Sequence, residues 1–200
     1  MICKEFSHVT PGDVGEGVIR QALVTNLQRP GLITMLDEDA HRSHRQAIEI
    51  GGGPAFTSVR NPFDYYVSRY FHELKNRRYF GPFVSWFHDE KLSFAASWKW
   101  FADPGIPKEH VVRFEHIEED FPRILHDIYP VLSVETIAGY FPRCYAQWSG
   151  RLWSESIEQW LRDDLYTEEM KEQVYEQDRW IFDEWGYTFE ERYISTLAPN

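Results

Sequence analysis

The sequence predicts an α/β domain, a three-layer α/β/α arrangement with a central parallel sheet. Two observations predict it. Short strand-like runs alternate with longer stretches of helical period, the pattern of parallel strands joined by crossover helices. Two hundred residues also suit one domain with a real core, or two very small ones, and no linker, repeat or low-complexity tract divides 1–200.

The elements follow in order. Strand 3–9 leads into a Gly-rich turn and a helix at 15–27, then strand 32–36 and helix 40–49. Gly51-Gly52-Gly53-Pro54 is a turn. Strand 55–59 follows, carried by Thr57 and Val59. Asn61 can cap the next helix, 62–76, and Pro62 suits its first turn because its missing N–H costs nothing there. Phe63, Tyr66, Val67, Tyr70, Phe71 and Leu74 form that helix's inward stripe. The region 80–102 reads as helical and irregular. Strand 110–114 precedes helices at 117–128, 133–140, 154–162 and 167–185. The last is marked by Thr167 as cap, Glu168 and Glu169 in its first turn and Gly186 as its stop. Asp178 falls in that helix's apolar row with Met170, Val174, Ile181 and Trp185, so it needs a partner.

Composition excludes several classes. A formal charge of −11 argues against nonspecific nucleic-acid binding. No apolar run approaches the ~20 residues of a membrane span, and the N-terminus lacks a signal-peptide core, so no membrane partner is expected. Cys3 and Cys144 make no disulfide framework, which points to the cytoplasm. No His/Cys cluster has metal spacing, and no metal is expected. The charge is uneven: residues 41–80 hold seven cations against three acids, and 151–192 hold five against thirteen. Lys75, Arg77 and Arg78 suit a helix C-terminus, whereas Arg42, Arg45 and Arg60 call for another account. Trp86, Phe87, Trp98, Trp100 and Phe101 are read first as core, with sugar or phenol stacking as the alternative.

Chemistry concentrates in Val59-Arg60-Asn61-Pro62-Phe63-Asp64, with Ser68 eight residues after Arg60. A guanidinium and a hydroxyl beside a helix N-terminus make a phosphate clamp. This stretch resembles the 3′-phosphate-binding element of sulfotransferases that use PAPS (3′-phosphoadenosine 5′-phosphosulfate). Val112-Arg113-Phe114-Glu115 with its acidic turn is similar to the family's second strand-to-helix element. Tyr175-x-x-Asp178, Phe182 and Gly186-Tyr187 are similar to its closing helix, and His41-Arg42-Ser43 to its His-x-Ser/Thr segment. The resemblance spans about His41 to Tyr187 and implies a P-loop NTPase-like fold. It implies that Arg60 and Ser68 hold the 3′-phosphate of PAPS. It also implies that His41 is the catalytic base, with His44 next and His8 a third candidate.

The resemblance implies that the family's opening strand and 5′-phosphosulfate loop correspond to Phe6–Arg20, with its Gly-rich turn Gly12-Asp13-Val14-Gly15-Glu16-Gly17. Thr10, Gly12, Gly15 and Gly17 are its candidate ligands, through backbone amides in the case of the glycines. The stretch departs from the family in lacking a Lys and carrying two acids, so Lys4, Arg20 or Arg151 would have to supply positive charge. Three functions remain open here. One is a sulfotransferase acting on a carbohydrate or small-molecule hydroxyl. Another is a degenerate member that binds without catalysis. The third is a nucleotide kinase-like enzyme, against which stands the missing Gly-x-x-x-x-Gly-Lys-Ser/Thr loop.

Overall fold

The computed structural model describes residues 1–11, 16–24, 31–37, 42–90, 93–103, 105–139 and 164–190. These fall into two compact units, one drawn from Met1–Val59 and 98–139, the other from Arg60–Ser97 and 164–190.

The first unit holds the sheet. Its strands are β1 (Ile2–Cys3), β2 (Ser7–His8), β3 (Met35–Asp37), β4 (Ala55–Val59) and β5 (Val111–Arg113), in the order β3-β1-β2-β4-β5. Strands β2, β4 and β5 are mutually parallel, while β1 runs antiparallel to both β2 and β3. The sheet is therefore mixed, which corrects the expectation of a wholly parallel one. The predicted strand 3–9 is in fact a hairpin. Lys4 and Glu5 interrupt the apolar run, and a strand buried on both faces has no place for either, so the chain reverses there. Cys3 N–H donates to Phe6 O at 2.9 Å across the turn, and the Met1 amine donates to His8 O at 3.0 Å. Gly53 backs this hairpin, and a Cβ there would run into the Glu5 backbone.

Helices of the first unit cover both sheet faces. Against one face, Phe6, Phe56 and Val112 pack with Ile19, Ala22 and Leu23 of α1 (Glu16–Leu23) and with Phe121, Ile124 and Leu125 of a helix at Ile117–Ile128. On the other, Ile2, Val9 and Ala55 meet Ala47 of α2 (His44–Ile50). The capping box at the start of α2, Ser43 with Gln46, sets its first residue at His44 rather than 40. Arg113 closes β5 onto the Ile117–Ile128 helix through Asp120, by its N–H at 3.0 Å and its guanidinium at 2.8 and 3.1 Å.

The second unit is built around α3 (Pro62–Lys75). Phe63 is its aromatic hub, with ring centroids of Tyr166, Tyr175, Phe182 and Phe189 at 5.3, 5.1, 5.5 and 4.8 Å. The region 80–102 resolves into α4 (Phe83–Asp89) and α5 (Phe94–Ala102). The Ile117–Ile128 helix is α6, followed by α7 (Val134–Ala138). The single helix expected over 167–185 is two, α8 (Glu168–Gln177) and α9 (Arg179–Trp185), jointed at Asp178. The joint turns the Asp178 carboxylate inward, where it is wholly buried. The helix expected at 154–162 lies outside the described residues. Trp86, Phe87 and Trp98 are core, whereas Trp100 is exposed. Among the described residues no helix is long and apolar enough to cross a membrane, and no cluster of His, Cys, Asp or Glu is placed to hold a metal.

Candidate functional site

Every residue of β4 is buried, and the chain passes from Val59 directly into Arg60. Asn61 Oδ1 accepts from Phe63 N–H at 3.1 Å, while its Nδ2 donates to Thr188 O at 2.7 Å. Those two bonds fix the point where α3 begins, and Pro62 occupies the first helical position. Asp64, in the first turn, complements the helix dipole. Arg60 is 3% exposed and Ser68 8%. A guanidinium buried that far at the mouth of a helix is costly unless anionic or acceptor groups compensate it. Arg60 and Ser68 thus belong to one unit and one strand-to-helix element, as the sequence pattern requires.

Below this element lies a buried polar network. Tyr66 Oη donates to Asp178 Oδ2 at 2.7 Å, and it accepts from Phe94 N–H at 3.0 Å and Gln177 Nε2 at 2.8 Å. Asp178 Oδ1 accepts from Ala95 N–H at 2.8 Å, and Ser93 Oγ from Ala96 N–H at 3.1 Å. The orphan N–H groups that open α5 are satisfied in this way by three side chains. Burial holds the Asp178 carboxyl above the usual carboxylate range, against the lowering by its donors, and drives the Tyr66 phenol far up. Asp178 has the structural partner that its place on an apolar stripe demanded. Its identity, Tyr66, had been readable only as part of another stripe.

The other described candidates belong to the sheet-bearing unit. His8 is stacked on Phe56 at 4.8 Å, and its Nε2 lies 3.2 Å from Ser58 Oγ. Trp98 Nε1 donates to Ser58 O at 2.9 Å. Burial, aided by the nearby N-terminal amine, pushes the His8 imidazole well below its ordinary value, so it is neutral at physiological pH. Sequence reasoning missed Ser58 as its partner, because strand neighbours are not written in the local pattern. Thr10 is fully buried, and its Oγ1 finds no hydrogen-bond partner among the described residues. Gly17 sits within the first turn of α1. His44 opens α2, half-buried, with its Nδ1 also without a partner among the described residues. Gly12, Gly15, His41 and Arg151 lie outside the described residues.

The basic zone over 41–80 is partly neutralised by local carboxylates. Arg42 pairs with Asp37 at 2.9 Å, Arg45 with Asp103, and Arg69 with Glu90 at 3.2 Å. All three acids, Asp37, Glu90 and Asp103, lie outside 41–80 in sequence, and the fold brings them in. Arg60 stands apart from these exposed or half-exposed pairs by its burial. No family model, curated protein or solved structure matches this chain.

Proposed function

We propose that the chain is a PAPS-dependent sulfotransferase with a P-loop NTPase-like core, acting on a hydroxyl of a carbohydrate or small molecule. The observation that carries this reading is the buried Arg60 at the entrance of a capped helix, with Ser68 buried farther along the same helix. A guanidinium and a hydroxyl fit a phosphate group in charge and hydrogen-bonding type. The reading assigns the 3′-phosphate to Arg60 and Ser68, and proton removal from the acceptor to His41, with His44 as second choice. The buried Thr10 Oγ1, without a hydrogen-bond partner among the described residues, supports a polar ligand for the Thr10–Gly17 stretch.

A second reading, a nucleotide-binding member without transfer activity, draws on the same stretch. It carries Asp13 and Glu16 and no Lys, an unfavourable charge for a phosphosulfate. Titration with 3′,5′-ADP tests the common part of both readings. Binding to the native state alone stabilises by ~2.7 kcal/mol at one hundred times the dissociation constant, and 5′-AMP, lacking the 3′-phosphate, does far less. Equal shifts from the two nucleotides would remove the role given to Arg60 and Ser68. A turnover assay with PAPS and a panel of hydroxyl acceptors then separates enzyme from binding protein.

A further inference from the structure

We propose that the turn leaving α3, over residues 75–84, is a docking surface for an anionic lipid bilayer. Lys75, Arg77 and Arg78 are all exposed. Arg78 reaches Glu73 only at 3.9 Å, and among the described residues no carboxylate lies within ion-pair distance of Lys75 or Arg77. Beside these cations, Phe80 is 80% exposed and Val84 41%. The turn is nonetheless held firmly. Tyr70 Oη donates to Gly81 O at 2.9 Å, Tyr79 Oη to Pro82 O at 3.3 Å, and Phe83 packs into the core against Tyr70 at 5.2 Å. Phe80 is therefore presented by an anchored turn whose neighbouring rings pack inward.

The backbone supplies an independent observation. Arg77 N–H bonds to Leu74 O at 3.1 Å and Arg78 N–H to Glu73 O at 2.9 Å, the two bonds that close a helix with a left-handed residue. That residue is Arg77, at φ 56°, the one non-glycine with positive φ among the described residues. Where α2 and α9 end in the same conformation the chain uses glycine, Gly51 at φ 83° and Gly186 at φ 70°. A side chain in this conformation costs backbone energy. Helix-dipole complementarity explains a cation near this end, but not one at the single position where glycine is preferred. Nor does it explain an exposed phenylalanine three residues on.

Cations beside protruding apolar side chains match a bilayer interface. Headgroup phosphates and carboxylates meet the Lys and Arg, and the acyl boundary takes Phe80 and Val84. A soluble polyanion would use the charges and leave Phe80 in water. The expectation of no membrane partner rested on the lack of a span and of a signal-peptide core.

The test is co-sedimentation of the full chain with phosphatidylcholine vesicles, with and without phosphatidylserine. Binding is expected only to the anionic vesicles and is expected to weaken in high salt. Arg77→Gly should weaken binding about fivefold while the melting temperature holds or rises, since glycine relieves the left-handed position. Phe80→Ser should weaken it roughly tenfold or more with folding unchanged. No binding to anionic vesicles at low salt overturns the proposal. So does equal binding to heparin that Phe80→Ser leaves intact, which marks a soluble-polyanion site. A lowered melting temperature in Arg77→Gly would show that Arg77 serves the fold.

Discussion

Replacing Tyr66 by Phe removes one oxygen and leaves the ring and its volume in place. That oxygen makes three hydrogen bonds, to Asp178 Oδ2, Phe94 N and Gln177 Nε2, at 2.7, 3.0 and 2.8 Å. Gln177 lies at the edge of the network and can turn to water. Phe94 N–H and Asp178 Oδ2 cannot, since both residues are fully buried. Each orphaned group costs about 1–3 kcal/mol, so the variant should lose roughly 3 kcal/mol. For a chain of this length that corresponds to a melting temperature lower by roughly 6–12 °C. Tyr70→Phe is the control, because its hydroxyl makes a single part-buried bond to Gly81 O and should cost about 1 kcal/mol. The penalty also depends on pH, with a definite sign. Asp178 in the folded protein titrates above its ordinary 3.8, so the folded state holds the proton more tightly than the unfolded state. Its contribution to stability is full below 3.8 and is lost as pH rises through the raised folded value. The Tyr66 hydroxyl supports the charged form, so Tyr66→Phe should cost more at mildly alkaline pH than in acid. Thermal and urea unfolding by circular dichroism measures all of this. A Tyr66→Phe variant no weaker than Tyr70→Phe, or one whose penalty shrinks as pH rises, would refute the network's assigned role.

Further outcomes follow from the same geometry. Arg60→Gln should weaken 3′,5′-ADP binding by calorimetry about 10–100-fold, the range of a charge-assisted hydrogen bond, while 5′-AMP binding changes little; a parallel loss for both nucleotides would contradict the phosphate assignment. His41→Ala should lower sulfuryl transfer by about 10²–10⁴-fold and leave 3′,5′-ADP affinity intact, whereas loss in His44→Ala alone would transfer the role to His44. His8 is depressed by burial, so the stability it contributes is full above 6.5 and falls as pH drops through its lowered folded value. His8→Asn should therefore flatten the acid limb of the stability curve, and an unchanged slope in urea titrations across that range would count against a buried neutral imidazole. Ser43→Ala should lose about 1 kcal/mol with the capping box, read by the same unfolding assay.

Much of the architecture was legible because local chemistry wrote it. The bounds of β4 and α6 match the sequence reading, and α3 begins where Asn61 and Pro62 said it would. In each case short-range signals of propensity and capping agree with burial. The hairpin at Lys4-Glu5 was missed because an apolar run does not reveal a reversal, although two adjacent charged residues were its one local sign. The joint at Asp178 was missed because the helical period runs straight through it. What broke the helix was a distant demand, the need of a buried carboxylate to meet Tyr66 and the first N–H groups of α5.

The same division governs the site. By itself the sequence determined that an arginine ends a buried strand, that a capped helix follows, and that a serine lies two turns along it. These are consequences of spacing along one short segment. Only the tertiary structure decided how deeply Arg60 is buried and that Arg42 and Arg45 are engaged by Asp37 and Asp103. It also decided that His8 is buried inside the sheet with its Nε2 beside Ser58 Oγ. Desolvation depends on groups that lie far away in the chain, and Arg45 finds its partner, Asp103, 58 residues on. Their free energies are set by which segments the fold brings together, and no local pattern encodes that choice.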